Sequence, residues 1–152
     1  MKRRKLLYAS LGWVLTASLS CVAQEKGTWR AESTTAKNIT GDVALSALKL
    51  AINFSSFPIA QIQSLKPAEM SAAFDAESGV GSGNLYRLSI PASKRFSHHN
   101  TLCGDEETQW MATYAAGDRL QLAFFSGATM PVFTLDALAN NVNLCGTFSY
   151  TR

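Results

Sequence analysis

The sequence predicts a mainly β chain: a small antiparallel β-barrel or β-sandwich of about eight short strands with one or two short helices. Three observations lead there. Apolar residues alternate with polar ones at several places along the chain, which is the period of a half-buried strand. Glycine, proline and asparagine interrupt these runs at short intervals. Helical spacing is confined to two brief segments, so strands must supply most of the core.

Residues 1–23 read as a secretory signal peptide. Lys2, Arg3, Arg4 and Lys5 form a basic start, an uncharged apolar run extends from Leu6 to Leu19, and Cys21-Val22-Ala23 offers small residues to a signal peptidase. Cleavage is expected between Ala23 and Gln24. The run is shorter and more polar than the ~20 apolar residues of a membrane span. Ser18-Leu19-Ser20-Cys21 also resembles the lipobox of bacterial lipoproteins, which implies a lipid anchor at Cys21 as an alternative to its removal. Arg3-Arg4-Lys5-Leu6-Leu7 resembles part of the twin-arginine export motif.

Removing 23 of the 152 residues leaves one domain, 24–152. The leader carries four of the 14 basic residues and none of the 11 acidic ones, so a net charge of +3 becomes about −1. That charge gives no basis for binding nucleic acid, which requires concentrated positive charge. Cys103 and Cys145 remain as a pair, each within Leu-Cys-Gly, and in an oxidising compartment they are expected to form one disulfide. The bridge would close a loop of about 43 residues, worth roughly 4 kcal/mol in the chain-entropy picture.

After an expected short flexible lead-in at Gln24–Gly27, Val43 and Leu45 give way to Leu48, Leu50, Ile52 and Phe54, the clearest expected strand. Pro67 is placed to start a helix carrying Met70, Ala73 and Phe74 on one face. Ser78 to Gly83 is expected to be a flexible loop. It lacks the Gly-Lys-Ser/Thr ending of a phosphate loop, and a strand rather than a helix follows Ser82, unlike a hydrolase elbow. Tyr86, Leu88 and Ile90 form a strand that Pro91 ends. Trp110–Tyr114 and Arg119–Phe125 form a hairpin across Ala115–Asp118. Thr134 caps a short helix through Leu135 and Leu138, and Thr147–Tyr150 is the last strand.

His98-His99 and the nearby Cys103, Asp105, Glu106 and Glu107 hold ligand-type side chains. Adjacent histidines on a strand point to opposite faces, however, and the cysteine is committed to the bridge. A solvated polar loop is the expectation, with no metal or cofactor site and no catalytic residue assigned. A small secreted hydrolase or metal-dependent enzyme built on His98 and His99 is the third-ranked reading.

Ser82-Gly83-Asn84-Leu85-Tyr86 resembles the S-G-x-x-Y pattern of the membrane-bound and periplasmic inhibitors of C-type lysozyme. Tyr114-Ala115-Ala116-Gly117-Asp118 resembles their second motif, without its Lys. The resemblance implies a small barrel in which Ser82–Tyr86 is a loop that enters the lysozyme cleft. Gly27-Thr28-Trp29-Arg30 resembles the G-x-W opening of lipocalins, which implies a carrier of a small apolar ligand as the second reading. The leading expectation is an exported, non-enzymatic binding protein of the bacterial envelope, periplasmic or secreted, with a lysozyme-like protein partner.

Overall fold

The computed structural model describes residues 24–152. The leader peptide, its cleavage site and the lipid-anchor reading of Cys21 all lie outside the described residues. Eight strands close into an antiparallel barrel in sequence order: β1 (Gly27–Ala31), β2 (Val43–Leu45), β3 (Lys49–Ile52), β4 (Ser55–Ser64), β5 (Ser82–Ile90), β6 (Thr108–Ala116), β7 (Arg119–Ser126) and β8 (Leu144–Thr151). Of the two architectures expected from sequence, the barrel is the one formed. Among the described residues three α-helices lie in the connections, α1 (Thr34–Ile39), α2 (Pro67–Phe74) and α3 (Leu135–Ala139), with a single 3-10 turn at Ser97–His99. No described helix is long and apolar enough to cross a membrane.

Two strands act as corners. β4 pairs with β3 through Ser55–Pro58 and with β5 through Ile59–Ser64. Pro58, which has no N–H to donate, stands where the pairing changes sides, so its missing donor costs the ladder little. β1 pairs with β2 through Gly27–Trp29 and with β8 only at Arg30 and Ala31. Past that short seam the two residues leading into α1 take over: the Glu32 and Ser33 amides donate to the Ser149 carbonyl at 2.9 and 3.1 Å.

Alternation along the strands gives two cores. Inward residues (Trp29, Leu50, Ile52, Tyr86, Leu88, Met111, Leu122, Phe124, Phe148 and Tyr150 among them) fill the barrel. The outward residues of β5–β7, including Leu85, Trp110, Ala112, Tyr114 and Phe125, form a second layer under α2 and the α3 connection. Pro67 starts α2 as expected; Met70 and Phe74 are its buried residues, and Ala73 packs partly buried against the same layer. Thr134 caps α3, accepting from the Ala137 amide at 3.2 Å.

The structure corrects several sequence expectations. The strand drawn through Leu48 and Phe54 contains only Lys49–Ile52. Asn53 turns left-handed at φ +52°, and Leu48 and Phe54 stand exposed in the flanking turns. β4 and α1 were not anticipated. The β6–β7 hairpin is tighter than expected, turning on Gly117 and Asp118 alone with Gly117 at φ +60°.

Both described termini lie at one end of the barrel, with α2 and the β6–β7 turn. The opposite end carries α1, His98, His99 and the bridge Cys103–Cys145, whose Cα atoms are 5.0 Å apart.

Candidate functional site

The segment expected to be a partner-binding loop is the first half of β5. Ser82–Tyr86 runs between β4 and β6, with Leu85 opposite Gln63 on one side and Ala112 on the other. Gly79 at φ +79° and Gly81 at φ +74° turn the chain just before it, so the alternation seen at Tyr86, Leu88 and Ile90 extends back to Ser82. Ser82 and Asn84 are partly exposed. Gly83 and Leu85 are buried under α2, and Tyr86 is inside the barrel. The exposed elements are instead the 77–81 turn, Val80 included, and the Gly117-Asp118 turn.

The two lysozyme-inhibitor-like segments are neighbours: Ser82 pairs with Ala115 and Gly83 with Tyr114. Beside them an open groove of about 400 Å³ lies between the C-terminal end of α2, the 77–81 turn and β7. Its floor is apolar, with the Phe74 and Tyr114 rings stacked at 5.8 Å and 18°. Asp75 and Glu77 line one side, and Arg119 and Gln121 the other. The Tyr114 hydroxyl donates to the Val80 carbonyl at 3.1 Å, which ties the turn to the barrel. Burial, then the charge of Glu77, pushes the pKa of Tyr114 up.

At the same end the barrel mouth is filled by Glu25, which is 7% exposed. The hydroxyl of Tyr86 donates a hydrogen bond to Oε1 of Glu25. The Asn84 amide donates to the same oxygen at 3.0 Å, and Thr113 Oγ1 to Oε2 at 2.6 Å. Burial, and then Glu25 itself, raise the pKa of Tyr86 far above that of a free phenol. Arg152 closes over the segment: its guanidinium lies 4.2 Å from the Trp29 ring centroid and donates to the Gln24 and Lys26 carbonyls at 2.7 and 2.6 Å. No motif marks Glu25 in the sequence; the one available signal was a lone carboxylate just before the first strand.

Trp29, the centre of the lipocalin-like opening, points into the interior and donates from Nε1 to the Glu25 carbonyl at 2.7 Å. Trp29, Tyr86, Tyr150, Phe124, Phe148 and Met111 are all less than 2% exposed or at 2% and occupy the space a carrier would leave for its ligand. His98 and His99 are exposed, both with left-handed backbones, and His98 Nδ1 lies 3.2 Å from the Asn38 carbonyl. Among the described residues, no three His, Cys, Asp or Glu side chains converge on a common point. Compared with known proteins, the chain matches no family model, no curated protein and no solved structure.

Proposed function

We propose that this chain is an exported, non-enzymatic binding protein of the bacterial envelope that docks a protein partner at the barrel end carrying the 77–81 turn and the β6–β7 hairpin. The observation that carries the reading is the pairing of Ser82-Gly83 with Tyr114-Ala115, which brings two separate inhibitor-like segments together beside an open groove. The groove has an aromatic floor between carboxylates and a guanidinium, a combination suited to a protein surface. The side-chain-filled interior favours an outer surface over an internal ligand.

The most concrete partner is a lysozyme. Contact then falls to Val80, Glu77, Gly117 and Asp118, because Leu85 and Tyr86 are enclosed. The purified chain should inhibit a C-type lysozyme, and Val80→Glu should weaken that inhibition at least about tenfold, the loss of one central contact, with unchanged circular dichroism. Absence of inhibition across several lysozyme classes removes the lysozyme reading.

A further inference from the structure

We propose that the barrel mouth is a carboxylate-binding site which the chain fills with its own Glu25. The pocket is built from three strands that meet only in the folded barrel: Asn84 and Tyr86 on β5, Thr113 on β6, and Gln61 and Ser64 on β4. Its donors are pre-aimed. Gln61 Nε2 and Ser64 Oγ donate to Asn84 Oδ1 at 2.8 and 3.1 Å, which turns the Asn84 amide nitrogen toward the carboxylate. The Asn84 backbone amide donates to Thr113 Oγ1 at 3.0 Å, and the threonine proton has Glu25 Oε2 at 2.6 Å as its nearer acceptor, ahead of the Asn84 carbonyl at 3.4 Å.

Both carboxylate oxygens are therefore held by neutral donors that belong to the barrel wall, whereas the carboxylate arrives on a segment outside every strand. That segment is fastened by few bonds: Trp29 Nε1 to the Glu25 carbonyl, and Arg152 to the carbonyls on either side. Residues 24–26 thus act as a strap carrying an internal ligand. Releasing the strap leaves the buried Tyr86 hydroxyl without its acceptor and the buried Thr113 hydroxyl with only the Asn84 carbonyl at 3.4 Å, and a carboxylate supplies what is lost. The ligand class is a carboxylate, carried by a free small acid or by the acidic side chain of a partner segment. The site is independent of the groove proposed above.

The test is chemical rescue in the full chain. Glu25→Ala empties the pocket, and sodium acetate or formate should then raise its Tm saturably, by at least about 3 °C near 100 mM. The wild-type chain, and either chain in sodium chloride, should show no such rise, and adding Thr113→Val should abolish it. Equal responses of wild type and Glu25→Ala overturn the proposal. If Glu25→Ala fails to fold in chloride, folding restored by acetate supports the site. If neither salt restores folding, Glu25→Gln decides: a Tm within about 1 °C of wild type overturns the site, and a larger loss supports it. A synthetic Gln-Glu-Lys peptide separates the two ligand sources. Tighter binding than acetate to Glu25→Ala points to a partner's side chain, and equal binding to a free acid.

Discussion

Gly83 and Gly79 show two different reasons for a glycine. At Gly83 an added Cβ would lie 2.4 Å from the Thr113 carbonyl oxygen and 3.1 Å from Met70 Sδ, so strand and helix approach through the missing side chain. Gly83→Ala should cost about 1–3 kcal/mol as overpacking. At Gly79 nothing lies within 4 Å, and only φ +79° resists a side chain, so Gly79→Ala should cost about 1 kcal/mol. Urea denaturation of both variants reads the difference. The buried tyrosines make a second prediction. Burial, and to a lesser degree the charge of Asp42, raises the Tyr150 pKa, against a hydrogen bond shared with Thr40 that lowers it; Tyr86 is raised by burial and Glu25. The folded state therefore holds protons that the unfolded chain releases above pH of about 10. Their stabilisation is complete below that pH and is lost as pH rises toward the folded-state values. Tm should fall in this alkaline range, less steeply for Tyr150→Phe; identical slopes would contradict the assignment.

The bridge acts on elements rather than residues. Cys103 sits in the β5–β6 connection and Cys145 at the start of β8, so the bond joins two strands' approaches at one barrel end. Replacing both cysteines with serine should cost about 2–4 kcal/mol and loosen the start of β8 first, seen as faster amide exchange at Leu144–Gly146. The elements themselves were unevenly legible. β5 over Tyr86–Ile90 and β8 over Thr147–Thr151 alternate because one face lies in the barrel and the other keeps partial contact with solvent, whereas β7 alternates only over Arg119–Leu122 and is buried on both faces beyond it. β4 was hidden by Pro58, which reads as a break until the change of pairing partner is known. α1 was hidden because Ser33 caps a helix with a single buried residue, Ala36, too little for a visible periodicity. The cysteine pair was legible from its count and its paired Leu-Cys-Gly setting, read with the expectation of an exported chain. The mouth was not: Glu25, Asn84, Tyr86 and Thr113 lie up to 88 residues apart, and only barrel closure makes them neighbours.

On the scale of the whole molecule, the barrel is closed at both ends by its own chain. Glu25 and Arg152 seal one end. At the other, Thr40 is fully buried and hydrogen-bonds Tyr150 at 2.7 Å, and Phe96 and Leu102 join the interior core. A barrel sealed this way should take up no apolar probe dye in its interior, and Met111→Ala should cost about 2–5 kcal/mol through the cavity it opens. Saturable, high-affinity dye binding by the wild type would contradict a filled interior. The clasp of Arg152 on Gln24 and Lys26 also holds the two described ends within reach of each other. A short glycine-serine linker from Arg152 to Gln24, with new ends opened at the exposed Asn53-Phe54 turn, should give a circular permutant with the same eight neighbours around the ring and a single cooperative melt.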